Sequence, residues 1–286
     1  MLNNIRSKQV IIIVAMLVLV GFLFTREIKG LVKPKEETKE MPTEAATSTA
    51  PQLDLLEVST TAKNLISTAS TKEISVLESA YSSASGAEKI KNATILAEKW
   101  NDLEHATPSA MYLEVIATSN PSATNWLATG DRYLKAFENT PEDNDIRVTL
   151  LQKANVSFKN SLALDSTLID AKTGLGVTVV NGSGPPMEGI ALLMEVVAKN
   201  PKNLKANMNL GLFAIKSGQF DKAITRFNDI ISNISATPEA YFYLATAYES
   251  LNKKSEAIDA YLNSKKLTAN PSFIKFLDGK IAELKK

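Results

Sequence analysis

The chain has 286 residues, of which 32 are basic and 31 acidic, for a formal net charge of +1, with no cysteine and one histidine, His105. So even a balance lacks the strongly basic footprint of a nucleic-acid binder, and no nucleic-acid partner is expected. The missing cysteines exclude disulfides, iron–sulfur clusters and thiolate metal sites, and a lone histidine excludes multi-histidine sites.

Met1–Gln9 is a short polar segment carrying Arg6 and Lys8, and Val10–Phe24 comes next as fifteen apolar or small residues without a charge. As a helix, this run and its flanks span roughly 25 Å, slightly under a hydrocarbon core. Lys8 and Arg26 are placed to snorkel toward headgroups and absorb the shortfall. The expectation is an N-terminal transmembrane helix, an uncleaved signal anchor over 10–26 that makes this a single-pass membrane protein. A cleaved secretory signal is the other reading, because the run also fits an h-region; no good small-x-small cleavage site comes after it. Basic residues stand on both sides (Arg6 and Lys8 before; Arg26, Lys29, Lys33 and Lys35 after), so charge counting leaves both topologies open. The lean is toward a periplasmic or otherwise extracytoplasmic soluble part, since N-terminal anchors usually export the polypeptide on their C-terminal side. Residues 33–52 hold three prolines, many charges and threonines, and Met41 as the one large apolar residue. Such a segment cannot offset its ordering entropy and reads as a disordered linker.

Residues 53–89 read as a helical N-terminal cap. Leu53, Leu56, Ala62, Leu65 and Ile66 mark one inward face, and Ile74, Leu77 and Tyr81 a second. From there the dominant signal is self-similarity at a fixed period. Leu210-Gly211 recurs as Leu244-Ala245, Ala223 as Ala257 and Phe227 as Tyr261, each 34 residues on. Gly189, Leu193 and Val197 precede Ala223, Phe227 and Ile231 by the same 34, while Leu175-Gly176 precedes its counterpart by 35. Further upstream lie Trp126, Gly130 and Tyr133, then Ala154, Phe158 and Leu162; earlier still come Leu96-Ala97, Trp100 and Leu113. Spacings of three and four place these residues on single helical faces. Gly or Ala at the crossing places lets two helices approach closely, and the aromatics fill the space beside them. Lys216-Ser217-Gly218-Gln219 reads as a tight interhelical turn, with Pro121 and Pro201 stopping second helices. No single pair can bury its stripe alone, so the pairs must stack.

Two departures stand out. Asn181-Gly182-Ser183-Gly184-Pro185-Pro186 is a turn one residue longer than its neighbours. Gly130 and Gly176 lie 46 residues apart, an excess of about twelve read as a surface loop around Glu138–Asp145. Residues 272–286 read as a C-terminal capping helix with Phe273, Phe276, Leu277, Ile281 and Leu284 inward.

Trp126-x-x-x-Gly130-x-x-Tyr133, Leu244-Ala245-x-x-Tyr248, Ala257-x-x-x-Tyr261 and Asn200-Pro201 resemble the tetratricopeptide-repeat (TPR) pattern, over about residues 90–271. The resemblance implies an all-α TPR helical-hairpin superhelix, a solenoid of about five repeats. In layout the chain is similar to bacterial membrane-anchored envelope TPR proteins. That implies a scaffold, not an enzyme, gripping a protein or peptide in a concave groove lined by first helices and serving assembly of an envelope complex. A self-associating envelope organiser is the alternative. The groove residues so implied are Asp131, Lys135, Lys205, Met208, Leu212, Lys216, Phe242, Thr246 and Glu249, with Glu98 and Asp102 at matching places. Exposed apolar groups such as Met208, Leu212 and Phe242 point to contact more than the charges do. The carboxylate clamp of some TPR domains is not expected: Asn209 fits one place, but Thr173, Val177, Glu239 and Tyr243 occupy the others.

Sites of chemistry are weakly marked. His105 reads as a solvated helix-terminal residue, and a single histidine supports no Ser-His-Asp arrangement. Gly182-Ser183-Gly184 lacks the Gly-Lys-Ser/Thr of a phosphate loop, and Asp143-Asn144-Asp145 lacks the glycine and closing glutamate of a calcium loop. Trp100 and Trp126 read as core residues. No catalytic residue, metal or cofactor is expected.

Overall fold

The computed structural model describes residues 52–286. The polar N-terminus, the apolar run Val10–Phe24 and the linker up to residue 51 lie outside the described residues. Among those described, no helix is long and apolar enough to cross a membrane. Thirteen α-helices succeed one another: α1 Leu55–Lys63, α2 Thr68–Ser83, α3 Gly86–Asp102, α4 Ala106–Ser119, α5 Ala123–Asn139, α6 Ile146–Leu164, α7 Ile169–Asn181, α8 Pro186–Lys199, α9 Leu204–Lys216, α10 Phe220–Asp229, α11 Pro238–Ser250, α12 Lys254–Leu267 and α13 Pro271–Leu284. Each packs on the next from α2 onward, and α5 with α7, α7 with α9 and α9 with α11 also touch, which is the neighbour pattern of stacked hairpins.

Side-chain caps start four of the first helices, α5, α9, α11 and α13. Ser122 accepts from the Asn125 N–H (3.1 Å), Asn203 from Ala206 (2.8 Å), Thr237 from Ala240 (3.1 Å) and Asn270 from Phe273 (3.1 Å). Each satisfies one of the donors that a helix N-terminus leaves orphaned. The turns repeat as well. Glu104, Gly218 and Asn252 lie seven residues after Ala97, Gly211 and Ala245, with φ of 62°, 72° and 58°. At each turn the next N–H reaches back five residues, from His105 to Trp100, Gln219 to Ala214 and Lys253 to Tyr248, closing the first helix in a left-handed cap.

Helix crossings are tight where the small residues fall. A Cβ added to Gly211 would lie 2.6 Å from the buried Phe227 ring, and one on Gly176 3.0 Å from the Gly189 carbonyl. The Phe158 ring fills the space beside two repeats at once, abutting Gly130 and Gly174. A second contact ties two second helices back to the start of their own first helices: Ser161 donates to the Ala123 carbonyl and Ser264 to that of Pro238, each at 2.8 Å. In the α3/α4 hairpin Ser109 sits twelve residues after Ala97, as Ala223 does after Gly211, and its hydroxyl donates to the Ala97 carbonyl at 2.8 Å.

Several expectations are corrected. The excess in the second hairpin is not a surface loop. Gly130 lies nine residues before the end of α5 and Ile146 eight before Ala154, against five for Gly211 in α9 and three for Phe220 before Ala223; the connections span 140–145 and 217–219. Most of the excess therefore extends both helices, by about 6–8 Å at each. Arg147 holds this extension closed: it donates to the carbonyls of Phe137 (2.7 Å) and Thr140, and its guanidinium lies 3.9 Å from the Phe137 ring centre. In α1 the inward face is Leu55, Val58, Ser59 and Ala62, whereas Leu56 and Leu65 are 71% and 74% exposed. Phe276 is 49% exposed, not inward, and Trp126 is only half-buried.

Candidate functional site

The first helices α5, α7, α9, α11 and α13 line one face of the array. At its centre that face is closed. Thr173 and Val177 of α7 are buried, at 0% and 3% exposure. Lys205 of α9 reaches past α7 to Asp131 of α5 at 2.7 Å, both side chains 42% exposed. Two of the expected groove charges thus satisfy each other. Lys135, one turn beyond Asp131, is exposed, and Lys216 donates to the Asn181 amide oxygen at 3.0 Å.

Toward the C-terminal end the face becomes aromatic. Phe242 of α11 is the hub, its ring centre 5.1 Å from Tyr243, 5.9 Å from Tyr261, 5.8 Å from Phe273 and 5.9 Å from Phe276. Met208 packs half-buried against this cluster, and Leu212 is half-buried one turn along α9. The Thr246 hydroxyl donates to the Phe242 carbonyl at 3.0 Å, so it is committed to the backbone. Glu249 accepts from the Tyr261 hydroxyl (2.7 Å) and from Lys280 (3.1 Å). Burial, then that hydrogen bond, raises the Tyr261 phenol above its ordinary value; burial and the Glu138 and Glu239 charges raise that of Tyr243. Seven of the nine expected residues therefore divide in two, with Lys135 and Lys216 in neither group. Asp131 and Lys205 form a polar bridge over the middle, while Met208, Leu212, Phe242, Thr246 and Glu249 gather at the aromatic end.

Three other features were not read from sequence. His105 is half-buried, its ring edge-on to Trp100 at 5.7 Å, so it is not the solvated group expected. A cleft of about 480 Å³ separates α1 from the start of α4 and the extended α5/α6 turn. On the second-helix side, a cleft of about 790 Å³ between α8 and α10 includes Met187, Ile190 and Met194. Met187 and Met194 are 69% and 47% exposed, and the 187/190/194 spacing was a legible helical stripe. Among the described residues no group of three or more His, Cys, Asp or Glu is arranged to hold a metal.

A stack of antiparallel helix pairs with small residues at the crossings, aromatics beside them and a left-handed turn at fixed phase is a helical repeat array of the TPR class. A family model described as "Tetratricopeptide repeat" matches residues 239–264, which lie within α11 and α12. Solved structures share the fold. A TPR protein from Parabacteroides merdae superposes with a TM-score of 0.56 at 13% identity, covering 81% of this chain and 83% of the other. A thermophilic TPR protein from Thermus thermophilus gives 0.53 at 17% identity, covering 68% and 98%. PilW, a widely conserved type IV pilus biogenesis factor, gives 0.52 at 19% identity, covering 70% and 87%. At these identities the likeness is one of fold. No curated protein matches the sequence. Residues 239–264 match a tetratricopeptide repeat, and the described helices share the fold of a TPR helical array.

Proposed function

We propose that this protein is a membrane-tethered TPR scaffold, not an enzyme, that binds a protein or peptide partner on its first-helix face and serves the assembly of an envelope complex. The observation that carries the reading is the aromatic end of that face, where Phe242 joins Met208, Tyr243, Phe273 and the half-exposed Phe276. Partly exposed aromatic and thioether groups collected on a rigid helical surface are the composition of interaction hot spots. The closed middle directs the partner to this end. The apolar run Val10–Phe24 supports the tether, and the lean of N-terminal anchors toward export supports a folded part held on the extracytoplasmic side. The shared fold with PilW, a pilus biogenesis factor, agrees with an assembly role.

The test is site-specific photocrosslinking in cells with the full chain. A photoreactive residue at Phe242 or Leu212 gives adducts of defined mass, identified by mass spectrometry, and the same residue at Lys222 on α10 does not. Adducts from Lys222 alone would overturn the reading. Protease added outside intact spheroplasts digests the folded part if it is exported and spares it if it is not.

A further inference from the structure

The last helix carries a second surface, which borders the partner-binding face above and shares Phe276 with it. Helix α13 stands at a first-helix position: Phe276, Gly279 and Glu283 lie 34 residues after Phe242, Ala245 and Glu249. In the earlier hairpins the small residue at this place lies under a second helix. An added Cβ would come within 2.7 Å of a neighbour at Gly130, 2.9 Å at Gly176 and 2.6 Å at Gly211. At Gly279 it would meet nothing within 4 Å. Gly279 lies instead on a shallow cleft of about 390 Å³ with Ser272, Lys275, Phe276, Lys280 and Glu283. A helix interior normally avoids glycine, at a cost of about 1 kcal/mol relative to alanine. Here a close-approach surface exists with no described helix upon it.

The charges on α13 specify what fits. Asp278 is held by Lys265 at 2.6 Å and Lys280 by Glu249 at 3.1 Å. Lys275 and Glu283 have no ion-pair partner among the described residues, and they sit four residues before and four after Gly279. An antiparallel copy of the same helix, related by a two-fold axis through Gly279, sets residue 279−n against residue 279+n. Lys275 then faces Glu283 of the second copy, and by symmetry the pair forms twice. The exposed Phe276 faces the exposed Ala282, where a small residue leaves room for the ring. A two-fold interface requires a self-complementary patch, and this stripe is one.

We propose that α13 is a homodimerisation helix, pairing antiparallel with α13 of a second copy across Gly279. One helix pair buries less than a standard interface of about 1,600 Å², so the dimer is weak and reversible, and its exposed ion pairs make it salt-sensitive.

The absence of cysteine from the whole chain makes disulfide trapping a direct test with the full-length protein. Gly279→Cys places two sulfurs at the axis, within the Cα separation of roughly 4.4–6.8 Å that a disulfide tolerates. Ser183→Cys, in the exposed connection before α8, is the reference. Mild oxidation is expected to trap the Gly279→Cys dimer at least about tenfold faster than the reference, the gain in effective concentration that a preformed contact gives. Adding Lys275→Glu sets carboxylate against carboxylate and removes the advantage; adding Glu283→Lys as well restores it. Circular dichroism confirms that each variant keeps its helix content. Trapping no faster than at Ser183→Cys overturns the dimer. Fast trapping that the double exchange fails to restore overturns this pairing. A crosslink from Phe242 or Leu212 to a second copy of this chain is told by its mass from one to a different partner, so the two readings fail separately.

Discussion

The same substitution at two glycines should move stability in opposite directions. Gly189 of α8 crosses Gly176 of α7. A Cβ there would lie 2.5 Å from the Gly176 carbonyl oxygen, 2.6 Å from Val180 Cγ2 and 2.8 Å from the Val180 nitrogen. Two of these three neighbours are backbone atoms, which no rotamer change can move. Ordinary contacts begin near 3.5 Å, so Gly189→Ala must push α8 off α7 by about 1 Å. Overpacking of this kind costs about 1–3 kcal/mol, with an immobile obstacle at the upper end, and the better helix propensity of alanine returns about 1 kcal/mol. The net expectation is a loss of about 2 kcal/mol. Gly279→Ala meets no atom of its own chain, so at a protein concentration low enough to keep the α13 pair dissociated it keeps only the propensity gain, about 1 kcal/mol of stabilisation. Gly211→Ala falls between, because its obstacle is the Phe227 ring, a side chain but a fully buried one.

Urea unfolding of the full chain, monitored by ellipticity at 222 nm, gives the ranking from transition midpoints. A repeat array need not unfold in one step, so amide exchange in α7 and α8 provides the local measure. If Gly189→Ala lies within about 0.5 kcal/mol of the parent, or shifts in the same direction as Gly279→Ala, the close-crossing account of the glycines is wrong.

Three further outcomes rest on the same contacts. Glu104 adopts the left-handed conformation that Gly218 adopts at the equivalent turn, so Glu104→Gly should stabilise and Gly218→Ala destabilise, each by about 1 kcal/mol, read as opposite shifts in urea midpoint. Arg147→Ala removes two charge-assisted hydrogen bonds and a ring contact from the extended α5/α6 turn and should cost about 2 kcal/mol, with faster exchange confined to residues near 137–150. Burial first, and then a neighbouring carboxylate, raises the phenol pKa of Tyr112 (Glu78), Tyr133 (Glu114) and Tyr261 (Glu249) above the ordinary 10.0. Above pH 10 the unfolded phenols ionise while the folded ones stay protonated, so the unfolded state binds fewer protons. Stability should be level below about pH 9 and then fall by up to about 1.4 kcal/mol per pH unit per tyrosine. Tyr133→Phe should reduce that slope, and a flat midpoint from pH 8 to 11 would contradict the burial.

The hairpins were legible because a 34-residue period copies the crossing chemistry itself. A residue such as Ala223 must be small wherever two helices cross, so the requirement reappears at Ala257 and, as glycine, at Gly189. Ser109 fills the same place with a polar side chain that bonds to the Ala97 carbonyl, so hydrophobic patterning passed over it while spacing would have found it. The α5/α6 extension was misread because an excess between two helix signatures carries no sign of where it resides. Its residues do: Ala136, Phe137 and Leu150 continue the apolar faces of α5 and α6, and all three are buried. For the proposed binding face, the sequence placed its candidates on first helices but could not show which of them meet. The Asp131–Lys205 pair spans 74 residues of sequence, and α7 had to be placed between them before the closed middle was visible.

That closure bears on the proposed binding face. An exposed ion pair such as Lys205–Asp131 contributes about 0–1 kcal/mol, so it does not hold the array together, and a ligand could displace it cheaply. Opening it would gain little, because beneath it Thr173 and Val177 are already packed away and offer no side chain to read. A partner gains contact area only where first-helix side chains still reach solvent, from Met208 and Leu212 across Phe242 to Phe276. The aromatic rings there are braced against one another, which lowers the entropy lost when a ligand covers them. On the proposed binding reading, specificity resides in α9, α11 and α13, and substitutions on α7 should alter stability without altering which partner is bound.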